Sequence, residues 1–119
     1  MLGDISRVSS IYVVTGYTDM RKNIDSLMAI VAHKYSLDPY STAVFLFCGR
    51  RADRIKALHF AGDGFELIYK RLDGTGRFKW PRNESEAKLI SRQQFRWLLE
   101  GLALEQPTVI RQSSKNKDV

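Results

Sequence analysis

The sequence predicts an α+β fold: an antiparallel β-meander sheet, with one helix after the first strand and one C-terminal helix. Three observations carry this. Short apolar runs rich in β-branched and aromatic residues are separated by glycine-bearing turns. The stretch "AGDG" (61–64), between "RIKALHF" and "FELIYKRL", is a two-residue hairpin signal. Apolar residues recur at helical spacing after residue 23 and again after residue 91.

The elements follow in order. "IYVV" (11–14) reads as a strand that Gly16 ends. Asp19 or Asn23 then caps a helix whose stripe is Ile24, Leu27, Met28, Val31 and Tyr35. Pro39 stops it by disfavouring helix at Asp38. "AVFLFC" (43–48) is apolar on both faces and predicts a central strand, with "GRRAD" as the turn after it. A Gly62-Asp63 turn sets Phe60 opposite Phe65, Leu58 opposite Leu67, Lys56 opposite Tyr69 and Arg54 opposite Arg71. "DGTG" then returns "RFKW" (77–80) as the fourth meander strand. That register pairs Tyr69 with Trp80, Lys70 with Lys79 and Arg71 with Phe78, placing Phe78 and Trp80 on the core face of Phe60 and Leu67. Ser91 and Gln94 have capping-box spacing, and Phe95, Leu98, Leu99 and Leu102 form the last apolar stripe, interrupted near its end by Gly101. Residues 1–110 are expected as a single domain and the polar stretch 111–119 as a flexible tail.

A chain of 119 residues with 44% hydrophobic residues can bury a core without metals or disulfides. Its single cysteine, Cys48, allows no internal disulfide and suits a reducing cytoplasm. There is no signal-like start and no apolar run of membrane-spanning length, so a cytoplasmic protein with no membrane contact is expected.

The net charge of +6 favours anionic partners. It is concentrated: between residues 50 and 82, nine Lys/Arg stand against four Asp/Glu. Two readings compete for this pattern. Cations on exposed strands protect sheet edges from aggregation, and cations gathered on one face bind polyanions. On the second reading, a polyanion such as a nucleic-acid backbone meets Arg50, Arg51, Arg54, Lys56, Lys70, Arg71, Arg77 and Lys79 on the face of the basic hairpin, the residues on which the resemblance given below places DNA contact.

Other chemistry is looked for and not found. His33 is expected in a helix and His59 in a strand opposite Glu66, which makes a poor metal site. Cys48 reads as a small core residue, and Asp19, Asp25 and Asp38 as capping and turn residues. The glycines of "GDG" and "GTG" are turn residues, not a phosphate loop. Tyr69, Phe78 and Trp80 are expected in the core rather than stacked on bases. No catalytic residue, metal or cofactor is expected. Trp97 lies off the main stripe of the last helix and is a candidate partner interface.

"GYTDMRKNIDSL" (16–27), "LDPYSTAVFLFCGRRADRIKAL" (37–58), "GFELIYKRL" (64–72) and "GRFKWP" (76–81), with "LLEGL" (98–102), resemble the small accessory proteins of the bacterial insertion-sequence family numbered sixty-six, commonly called TnpB. The similarity spans nearly the whole chain. It differs from the family pattern in the "DGTG" turn, about one residue longer. The resemblance implies an accessory protein of DNA transposition, with DNA and the element-encoded transposase as partners. It is distinct from the RNA-guided nucleases of the same name, since no nuclease carboxylate set or zinc ribbon occurs. By the resemblance Asp19 and Arg21 are motif residues, with turn capping and a local ion pair as one role. A protein-interaction adaptor that docks on the transposase without touching DNA is the alternative.

Overall fold

The computed structural model describes residues 8–82, 86–101 and 103–104. The expected tail, 111–119, and Leu102 lie outside the described residues, as does the C-terminal end of the expected domain. Among the described residues the chain forms strands β1 (Ile11–Val14), β2 (Val44–Cys48), β3 (Arg54–Phe60), β4 (Phe65–Arg71) and β5 (Ala87–Ile90). Helix α1 (Ile24–Ala29) runs on into a π-helical turn (Ile30–Lys34), and α2 (Arg92–Leu99) follows β5. The sheet order is β4-β3-β2-β1-β5.

The α+β class holds, and the hairpin register is as the sequence predicts. Phe60 pairs with Phe65, Leu58 with Leu67, Lys56 with Tyr69 and Arg54 with Arg71. The sheet is mixed, however, not a four-stranded antiparallel meander. β1 runs parallel to β2 and antiparallel to β5. The parallel pair has a physical cause: the segment between β1 and β2 contains a helix, which carries the chain back to the starting end of the sheet. β2 is buried along its whole length because it is the middle strand and both faces are covered.

The second correction concerns "RFKW". Residues 77–80 do not pair with β4, and the expected Tyr69–Trp80, Lys70–Lys79 and Arg71–Phe78 partners do not form. Gly74, at φ +62°, turns the chain away from the edge of β4. The Phe78 N–H then donates to the Ala52 carbonyl at 2.6 Å, and the Gly16 N–H donates to the Pro81 carbonyl at 2.9 Å. The segment therefore lies across the end of the sheet, and its aromatics drop onto the opposite face from the one expected. Phe78 and Trp80 pack with Val13, Leu46, Ile55, Ala57, Phe95 and Leu98. Phe65, Leu58 and Leu67 belong to the other cluster, with Phe45, Phe47, Leu27 and Val31. Helix α1 and its π-helical turn cover that second face; α2 and the 78–80 segment cover the first. Tyr69, expected in the core, is 49% exposed.

α2 begins as its sequence demands. The Ser91 hydroxyl accepts from the Gln94 N–H at 3.0 Å, and the Gln94 side chain accepts from the Ser91 N–H at 2.9 Å. Gly101, at φ +81°, does more than interrupt the stripe, since the helix has already ended at Leu99. Replacing Ser91→Ala removes one half of this reciprocal cap. It should cost about 1 kcal/mol and lower the melting temperature by roughly 4 °C, with Ser91→Thr close to wild type. An unchanged thermal unfolding curve for Ser91→Ala would show the cap to be idle.

Candidate nucleic-acid interface

The carboxyl ends of β1, β2 and β4, the start of β3 and the start of β5 all lie at one end of the sheet. Three loops meet there: 15–22 after β1, 49–53 after β2, and 72–82 after β4. They are stitched by backbone. The Thr18 N–H donates to the Cys48 carbonyl at 2.8 Å, and the Leu72 N–H to the Asp53 carbonyl at 2.7 Å. A Cβ on Gly49 would lie 2.7 Å from Met20 Cγ, so only glycine lets the "TDMRK" loop lie this close to the "GRRAD" turn. Ala52 adopts φ +59°, a left-handed conformation a non-glycine residue seldom takes, while its carbonyl serves Phe78. Trp80 Nε1–H closes the assembly by donating to the Val14 carbonyl at 3.0 Å.

The eight expected DNA-contacting cations do not form one face of a hairpin. Neighbours on a strand project to opposite faces, so Lys70 lies on the side of Ile55 and Ile68, and Arg71 on the side of Arg54 and Tyr69. Lys56 is buried: its ammonium donates to the Lys22 carbonyl at 2.7 Å and sits 5.8 Å from the Tyr69 ring centroid. The other seven share the loop end of the sheet rather than a face. Lys70, Arg71, Arg77 and Lys79 are exposed there, and the Arg77 guanidinium donates to the Gly76 carbonyl. What unites them is the end at which the strands open into loops.

Two grooves flank Tyr17 at this end. The first, about 530 Å³, is lined by Tyr17, Arg21, Arg50, Arg51 and Arg54, with Asp19 and Asp53 as its acids. The second, about 680 Å³, is lined by Tyr17, Lys22, Lys34, Tyr35 and Arg82, among others, with Asp19 again as its acid. Tyr17 is 55% exposed. The Arg50 guanidinium lies 4.7 Å from its ring centroid and donates to its hydroxyl at 2.6 Å, and that of Arg82 lies 6.0 Å from the ring. Arg82 also donates to the Gly49 carbonyl at 3.0 Å and the Arg50 carbonyl at 3.3 Å.

The acids are unevenly spent. Asp19 is committed to Arg21 through a two-pronged contact, its closest approach 2.8 Å, and also accepts from the Arg21 N–H. These bonds hold the Asp19 carboxyl well below the usual carboxylate range and raise the Arg21 pKa. The ion pair foreseen for this motif is therefore present, while Asn23, at the N-cap position of α1, makes no side-chain cap. Asp53 stands 3.8 Å from Arg54 Nε, which has no hydrogen-bond partner among the described residues. Arg50 and Arg51 have no carboxylate partner among the described residues.

The remaining candidates fall elsewhere. Cys48 is fully buried, and burial pushes its thiol up to about 11, which makes it a poor nucleophile. No group of His, Cys, Asp and Glu among the described residues could hold a metal ion. Trp97 is half-buried on α2. Among the described residues, no helix is long and apolar enough to cross a membrane. Arg82 and Tyr17 were not singled out by sequence reasoning. Arg82 does follow "GRFKWP" directly, which was the available signal.

The family model for IS66 Orf2-like proteins matches residues 9–109, spanning all three loops. The chain belongs to that family. IS66 Orf2-like proteins are accessory proteins associated with IS66 transposition. Two relatives in Sinorhizobium fredii, named uncharacterized proteins y4hO and y4jC, are 38% and 33% identical to it over 97 residues. The first match covers 82% of this chain and 84% of the relative; the second covers 82% of each. No solved structure matches. Of the sequence segments that carry the family likeness, parts of three, "GYTDMRK", "CGRRADR" and "GRFKWP", converge at the loop end of the sheet; the others lie in α1, along β2 to β4 and on α2.

Proposed function

We propose that this IS66 Orf2-like protein assists transposition without catalysing a step itself, by holding the DNA backbone at the loop end of its sheet. One observation supports this above the others. Arg50 and Arg51 project from the turn after β2 into a basic groove with no carboxylate partner among the described residues. Like charges brought together by folding and left uncancelled repel, and polyphosphate relieves that repulsion. Such contacts position a nucleic acid but read little of its sequence.

The test is DNA retention by the purified protein over a salt series. Four or five phosphate contacts predict that log K falls linearly with log salt, with a slope of roughly −4. Affinity flat between about 50 and about 200 mM salt, or no retention at the lower value, defeats the proposal.

A second reading is the adaptor that docks on the element-encoded transposase. It is favoured by Tyr40, 56% exposed, whose ring makes edge contacts at 5.2 Å with both Phe60 and Phe65 at the far end of the sheet. Half-buried Trp97 adds to it. Capture of the transposase that survives high salt, with no DNA retained at any salt, selects this reading over the first.

A further inference from the structure

The reading of the loop end as a DNA site leaves open which form of DNA it takes, and Tyr17 bears on that. The ring is exposed and stands on the wall shared by both basic grooves, with Arg50 against it and Arg82 beyond. Cations not spent on Asp19 therefore lie to either side of the exposed ring: Arg51 and Arg54 in one groove, and Lys22 and Lys34 in the other, with Asp19, paired to Arg21, on the wall between them. A duplex suits this shape poorly. It is a stiff rod with a persistence length of about 50 nm, and its bases are already stacked on each other. A single strand bends freely and offers the face of every base to an aromatic side chain.

We propose that the ligand of this site is unpaired DNA, one base stacked on Tyr17 and the phosphates on its two sides lodged in the two grooves. This rests on the proposal that the loop end binds DNA, and adds to it the form of DNA bound. The Arg50 bond to the Tyr17 hydroxyl fixes the ring before the ligand arrives, so little side-chain freedom is lost on binding.

The experiment compares a fluorescently labelled oligonucleotide of about 12 nucleotides with its own blunt duplex, by anisotropy at about 100 mM salt, against wild type, Tyr17→Ala and Tyr17→Phe. Support is tighter binding of the single strand, a loss of about 10-fold or more for Tyr17→Ala on the single strand only, and a much smaller loss for Tyr17→Phe, which keeps the ring and gives up only the Arg50 bond. Tyr17 is half-exposed, so the variants should fold, and their thermal melts are the check. Three results overturn the proposal: tighter binding of the duplex, an equal loss on both ligands, or no loss on either. The last two leave backbone binding standing if retention still falls with salt. If neither ligand is retained by wild type even at low salt, backbone binding fails together with this inference.

Discussion

Trp80→Ala should lower the stability of the folded chain by about 3–5 kcal/mol, enough to drop the melting temperature by roughly 10–20 °C. The side chain is 6% exposed and packs in the cluster formed by Val13, Leu46, Ile55, Ala57, Phe95 and Leu98. Its removal leaves a void between the sheet and α2, whose lining cannot collapse without moving β1 or the helix. It also strips the Val14 carbonyl of the indole N–H. Trp80→Phe separates the two effects. It keeps most of the volume and loses the hydrogen bond, so a smaller loss of about 1–2 kcal/mol is expected. Denaturant unfolding of the three proteins measures both. A loss below about 1 kcal/mol for Trp80→Ala would mean that the 78–82 segment is not anchored as described.

Trp80 also shows what the sequence could and could not reveal. "RFKW" alternates like a strand, and its alternation is real: Phe78 and Trp80 are buried while Arg77 and Lys79 are exposed. Local pattern cannot say which neighbour the segment alternates against. Here it is the end of the sheet and α2, not the edge of β4. By contrast, the β3–β4 register was legible because a two-residue turn leaves no freedom: once Gly62-Asp63 is placed, every opposed pair down to Arg54–Arg71 follows. The cap of α2 was legible for the same reason, since it depends only on Ser91 and Gln94 three residues apart.

The parallel pairing of β1 with β2 could have been read, because a helix between neighbouring strands implies a crossover. β5 could hardly have been. "AKLI" is short and carries a lysine, and its place beside β1 depends on where the 78–82 segment leads the chain. The site was half legible. The excess of cations between residues 50 and 82 is plain in the sequence, but their meeting point is built by contacts between separate loops, such as Arg82 to Gly49 and Arg50 to Tyr17, each 33 residues apart. Tyr17 gave no signal beyond its place in "GYTDMRK": a lone aromatic in a glycine-bearing loop has no period to betray its surroundings.

Arg50→Glu combined with Arg51→Glu should abolish DNA retention at about 100 mM salt, the largest functional effect expected of any surface pair in this protein. Removing two phosphate contacts lowers the salt slope by roughly 2, and the two new carboxylates add repulsion where attraction stood. The fold should be unaffected by loss of these charges as such. Both residues are exposed, and the turn that bears them is held without their side chains: Gly49 N–H to the Arg54 carbonyl, Ala52 N–H to the Gly49 carbonyl, and the Arg82 guanidinium to the Gly49 and Arg50 carbonyls. Lys70→Glu is the informative comparison, because Lys70 projects from the edge strand on the other face from Arg71 and Arg54 and lines neither basic groove described here. If the ligand tracks the grooves, Lys70→Glu weakens retention only several-fold, by long-range charge, and that residual effect fades as salt is raised. Equal losses from the two substitutions would instead place the nucleic acid along the hairpin, and the loop end would then be no more than a structural junction.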